Sequence, residues 1–76
     1  MDTIYSMLEE IRPEFDFRTS EDFIEDGFLD SFDVVALVTE LENKFNVVID
    51  ALDILPENFS SVETIIAVVK KSGGKI

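Results

Sequence analysis

Asp30 and Ser31 are the residues of this chain best placed to do chemistry, and the chemistry they suggest is covalent attachment. The stretch Asp26-Gly27-Phe28-Leu29-Asp30-Ser31-Phe32 is a short loop ending in an acidic residue, and it opens a helix expected over Asp33 to Phe45. An aspartate makes a good N-cap, because its carboxylate accepts from free N–H groups of the first turn, here those of residues 32 and 33. With Asp30 as the cap, Ser31 is the first helical residue and its hydroxyl sits at the positive end of the helix. Asp33 adds negative charge where the macrodipole favours it. A phosphate ester on Ser31 would meet unsatisfied N–H groups and a favourable dipole.

Two other chemistries fit less well. A nucleophilic serine needs a base, yet the chain has no histidine, and Lys44, taken as the nearest basic residue, lies more than three helical turns along. Asp22 to Asp33 imitates a calcium-binding loop, with Asp26 in the fifth place, Gly27 in the sixth and Asp33 in the twelfth. The third place is Ile24, which cannot bind a metal, and Pro13 interrupts the helix that should precede such a loop. No catalytic residue and no metal ligand is therefore expected, and the chain is not read as an enzyme.

The elements that must hold Ser31 follow from hydrophobic spacing. Val34, Leu37, Val38, Leu41 and Phe45 fall at the i, i+3, i+4, i+7 and i+11 steps of an amphipathic helix, forming one stripe toward a core. Ile4, Met7, Leu8 and Ile11 give the same pattern in a first helix, capped by Asp2 or Thr3 and ended by Pro13. Residues 14 to 30 form a long connection pinned to the core by Phe15, Phe17, Phe23, Ile24 and Phe28, with one short turn around residues 21 to 25. Gly27 permits a positive φ just before the cap.

Asn46 is expected as a left-handed end to the second helix. Val47-Val48-Ile49 is read as an extended connection burying Val47 or Ile49, Asp50 as the cap of a weak turn over Ala51 to Leu55, and Pro56 to Phe59 as a short helical turn. Ser60 with Glu63 reads as a capping box for a last helix. Its core face is Val62, Ile65, Ile66 and Val69, with Val68 partly buried, and residues 73 to 76 fray after Gly73. The fold class expected is all-α: three main helices plus a short third helix, a small four-helix bundle with a long first loop, as one domain over residues 1 to 76.

Composition narrows the function. A chain of 76 residues buries only about 60% of its unfolded surface, so its core is marginal. Without cysteine no disulfide or thiolate zinc site supports it. The net charge of −11 argues against nucleic acid and anionic membranes and favours partners with basic surfaces. Met1-Asp2-Thr3-Ile4 does not begin a signal peptide, and no apolar run approaches a membrane span, so a cytoplasmic monomer is expected.

The outer face of the second helix carries a further signal. Phe32, Ala36, Thr39 and Asn43 lie opposite the core stripe with Val35 on its flank, edged by Asp33, Glu40 and Glu42. An apolar strip with a polar rim marks a partner surface, and Phe32, Asp33, Val35, Ala36, Thr39 and Glu42 are its expected contacts.

Asp26-Gly27-Phe28-Leu29-Asp30-Ser31-Phe32 resembles the modification motif of acyl carrier and peptidyl carrier proteins, in which an Asp-Ser pair followed by Leu, Met or Ile opens the second helix of a four-helix bundle. The resemblance extends to Glu40-Leu41-Glu42-Asn43-Lys44-Phe45, to Ile49-Asp50 and to Pro56 through Glu63. It implies that Ser31 carries 4′-phosphopantetheine through a phosphodiester, added from coenzyme A by a phosphopantetheinyl transferase, with Asp30 orienting the loop. It further implies an acyl or aminoacyl thioester on that arm, loaded by a ligase and passed to a downstream synthase or transferase.

Phe32 departs from the usual smaller aliphatic residue, and Ala36 and Asn43 stand where carriers of fatty-acid synthesis are often acidic. Phe59-Ser60 is similar to D-alanyl and peptidyl carriers. Together these departures imply a specialised carrier. The alternative is an unmodified acidic interaction module in which Ser31 merely starts a helix.

Overall fold

Three amphipathic stretches become α-helices: α1 over Asp2–Ile11, α2 over Ser31–Phe45 and α3 over Val62–Lys71. These come from a computed structural model that describes residues 2–75. Three 3-10 turns, Phe17–Thr19, Ala51–Asp53 and Pro56–Phe59, lie in the connections, and no strand forms among the described residues. The short third helix expected of a four-helix bundle is thus a pair of 3-10 turns. Asp50 caps the first of them by accepting from Leu52 N–H at 2.9 Å, and Pro56 starts the second. No helix among the described residues is long and apolar enough to cross a membrane.

One hydrophobic cluster takes residues from all three helices and from the long connections. α1 packs on α2, and the Pro56–Phe59 turn packs on both α2 and α3. Phe59, fully buried, is the wedge of that contact. It is an aromatic core residue that the spacing rules did not assign to the core, because it lies on no periodic stripe. The residues 14–30 connection is pinned as expected. Phe17 and Phe23 are buried, and Phe15 stacks on Phe28 with ring centroids 4.5 Å apart. Phe17 sits edge-on to Phe15, Phe23 and Phe28, a geometry aromatic quadrupoles favour.

The ends of the elements bring several corrections. Asp2 and Thr3 both lie within helix α1, so neither stands before it as a cap. The cap of α3 is Ser61 rather than Ser60. Ser61 Oγ accepts from Thr64 N–H and Thr64 Oγ1 accepts from Ser61 N–H, both at 3.2 Å. Ser60 is held by the turn before it: its hydroxyl donates to Glu57 O and its carbonyl accepts from Phe23 N–H at 2.7 Å. Val68 is buried and Ile66 only partly so, the reverse of the expected order. Val47 and Ile49 are both buried, with Val48 outside.

Gly73 and Gly74, where fraying was expected, are hydrogen-bonded back onto α3. Gly73 takes φ +95° and donates to Lys70 O at 3.0 Å, and Gly74 N–H reaches back to Val69 O at 2.8 Å. This is the paired closure of a Schellman end. A Cβ on Gly74 would collide with the Val69 side chain, which is why the position suits glycine. Ile76, the last residue of the expected tail, lies outside the described residues. Asn46, by contrast, ends α2 in the left-handed conformation expected, with φ 54°.

Candidate functional site

The loop that delivers Ser31 is set by side-chain oxygens and one glycine. Asp22 Oδ1 accepts from the N–H groups of Ile24 and Glu25 at 3.1 and 3.0 Å, and so starts a turn. Ser20 Oγ donates to Asp26 Oδ2 at 2.6 Å. Gly27 takes φ +76°, and the N–H groups of Phe28 and Leu29 both return to Phe23 O. Leu29 is then buried, which anchors the chain one residue before the cap.

Asp30 is the N-cap of α2 and Ser31 its first residue, as the residue types require. Asp33 N–H donates to Asp30 Oδ1 at 2.9 Å, and Asp30 N–H donates to Asp33 Oδ2 at 3.1 Å. This reciprocal box satisfies two otherwise free donors. The bond from the Asp33 N–H, above other causes, holds the Asp30 carboxyl below the usual carboxylate range, with the Arg12 charge adding to it. Ser31 itself is exposed.

Asp33 is corrected from rim residue to interior anchor. It is only 9% exposed, and it pairs with Arg12, whose Nε lies 2.8 Å from Asp33 Oδ2. Arg12 also reaches Asp30 Oδ2 at 3.3 Å and Glu14 Oε2 at 3.2 Å. The basic group nearest the site therefore comes from the end of α1, not from Lys44 in α2. It supplies no base, because a guanidinium stays protonated, and its hydrogen bonds to Asp33 and Glu14 raise its pKa further. No local pattern points to Arg12: it lies 18 and 21 residues from the two aspartates it joins.

Of the other expected contacts, Phe32 is 85% exposed, and Val35, Ala36 and Thr39 are exposed along the same helix. Glu42 is turned to a structural task. It is half-buried, and its Oε2 accepts from Ile49 N–H at 3.0 Å, holding the connection that follows α2.

A cleft of about 280 Å³ opens beside Ser31. Ile24, Leu29, Val34, Val35, Ile54 and Pro56 wall it, with Asp30 and Ser31 at its edge. The arrangement is an exposed primary alcohol on the first turn of a capped helix, next to an apolar recess. Such a hydroxyl is open to a covalent group, and the recess beside it could shelter an apolar one.

The class defined by this fold and site is a small helical domain with an exposed serine at the start of its second helix. The family model for the phosphopantetheine attachment site matches residues 3–69, and the chain belongs to that family. Comparison with curated proteins and with solved structures finds no match. Membership makes the chain a carrier of covalent 4′-phosphopantetheine. The residues present fit that group: an exposed hydroxyl can form the phosphodiester, and the adjacent recess offers an apolar wall.

Proposed function

We propose that the chain is a discrete acyl or aminoacyl carrier with no turnover of its own, attached to phosphopantetheine through Ser31. The observation that carries this reading is the exposure of Ser31 at the first turn of α2, inside the matched segment and directly after the Asp30 cap. Once attached, the group supplies a terminal thiol that holds the cargo as a thioester. The cleft beside Ser31 supports a cargo with an apolar portion. The proposed partners are a phosphopantetheinyl transferase, a loading ligase and a downstream synthase or transferase. As part of the same proposal the carrier works as a monomer in the cytoplasm, its net charge of −11 keeping copies apart.

The absence of cysteine makes the test clean. Incubation with coenzyme A and a phosphopantetheinyl transferase is expected to add one phosphopantetheine to the intact mass and one titratable thiol to a protein that starts with none. A chain that keeps its mass and gains no thiol with several transferases would favour the unmodified interaction module.

The face for these partners is proposed to be Phe32, Val35, Ala36 and Thr39, all exposed on α2 beside or beyond Ser31. Phe32→Asp is expected to weaken cargo loading by the ligase about tenfold or more, as loss of an aromatic interface anchor does, while leaving the helical circular dichroism unchanged. Unaltered loading kinetics would remove Phe32 from the contact.

A further inference from the structure

Arg12 belongs to no motif, yet its three guanidinium nitrogens are all engaged around the site. Nε donates to Asp33, one terminal nitrogen to Asp30 and the other to Glu14. We propose that Arg12 is a positioning residue for modification of Ser31, acting through Asp33 to fix the Asp30–Ser31 backbone. The proposal rests on Ser31 being the attachment point.

The link is short and continuous. Asp33 Oδ2 receives both Arg12 Nε at 2.8 Å and the Asp30 N–H at 3.1 Å. One oxygen thus ties the end of α1 to the peptide immediately before the acceptor serine. Asp33 is the buried charged residue among those described, and an ionised carboxylate is retained inside a fold only when paired and hydrogen-bonded. Arg12 supplies that pairing. Its planar fork spans three carboxylates at once, which a lysine ammonium cannot do with the same fixed geometry. The same charge offsets Asp30 and Asp33 where an anionic phosphate must be installed.

Removing the fork should leave α2 formed beyond its first turn, because Leu37 and Leu41 are fully buried. It should free the first turn and let the Ser31 hydroxyl wander from the geometry the transferase needs. Small misplacement of a reacting group costs about 10- to 100-fold in rate.

The test is transferase kinetics with the carrier as varied substrate, for wild type, Arg12→Gln, Asp33→Asn and the double variant. Asn at 33 keeps a carbonyl for the Asp30 N–H but loses the ionic link. The positioning role predicts that both single variants lower kcat for phosphopantetheine addition by about 10- to 100-fold, and that the double variant is no worse than the poorer single one. Amide hydrogen exchange should quicken at Phe32 to Val34 in Arg12→Gln and stay slow at Leu37 and Leu41. A plain surface-charge role predicts something different: opposite shifts in KM, since one variant removes a positive charge and the other a negative one, with kcat unchanged. That result, or unchanged kinetics, overturns the proposal. Should Arg12→Gln lose its helix content, Arg12→Lys replaces it, keeping the charge without the fork, and a kcat loss is still expected; wild-type kcat in Arg12→Lys overturns the fork. A wild-type chain that accepts no phosphopantetheine would instead defeat the Ser31 reading, and this proposal with it.

Discussion

Ser31→Ala is expected to abolish phosphopantetheine incorporation, reducing the added mass and the new thiol from one per chain to none. The substitution removes a single exposed oxygen at the first residue of α2. Neither partner of the capping box is touched, because the box runs between Asp30 and Asp33. Alanine is also a favourable residue in a helix. The variant should therefore fold like wild type, and a melting temperature within a few degrees of wild type checks this. Incorporation that survives in Ser31→Ala would place the acceptor elsewhere, and Ser6, Ser20, Ser60, Ser61 and Ser72 are then the serine hydroxyls to consider. Of these, Ser20 and Ser60 already donate to Asp26 and to the Glu57 carbonyl, and the Ser61 hydroxyl caps α3. Ser31 carries no such local duty in the framework.

The largest expected stability effect comes from Leu41→Ala. Leu41 is fully buried where α2 meets the shared core. Truncation there costs about 2–5 kcal/mol, the transfer term of the lost atoms plus the cavity they leave. A domain of this size has only about 5–15 kcal/mol to lose, and nearer the lower figure. At about 4–8 °C per kcal/mol, thermal unfolding should shift down by ten degrees or more. A melting temperature within two or three degrees of wild type would mean that this face of α2 does not form the core. Because α2 also presents Ser31, the variant should load more slowly as temperature rises toward its unfolding transition, while wild type does not.

The part of the site that depends on adjacent residues was legible in the sequence. An aspartate before a serine before an apolar-periodic stretch specifies a cap and a first helical turn without help from the rest of the chain. The stripe Val34, Leu37, Val38, Leu41 and Phe45 likewise specified the inner face of α2; the first four are buried and Phe45 is partly so. The loop was legible as a pinned segment because aromatics so dense in sequence have only the core to bury against.

What the sequence hid was the pairing of distant residues. Asp33 fits a solvated first-turn charge equally well until Arg12 arrives from the end of α1. Glu42 fits a rim residue until the connection folds back to offer the Ile49 N–H. The choice between Ser60 and Ser61 turned on the same kind of contact. Both serines have a polar partner three positions on, and Ser60 is claimed by the preceding turn and by Phe23 from the first connection. At the chain end the hidden feature was a close backbone contact. Two consecutive glycines read as disorder, yet Gly74 is where the backbone comes too close to Val69 for any side chain.

The family match defines what the chain carries, and the fold explains how. On the proposed reading, Arg12 follows directly on α1, the first connection supplies the turn at Gly27 and the anchor at Leu29, and α2 supplies the hydroxyl and the exposed face beside it. With seventeen acidic and six basic residues, the chain as a whole favours approach by surfaces of opposite charge.

Fragment-ion mass spectrometry of the loaded protein tests the central claim most directly, because it locates the added group without altering any residue. The account predicts the full mass of one phosphopantetheine on Ser31 and none on any other residue. Finding the group on any residue other than Ser31, or on no residue after exhaustive treatment with coenzyme A and transferase, would contradict it.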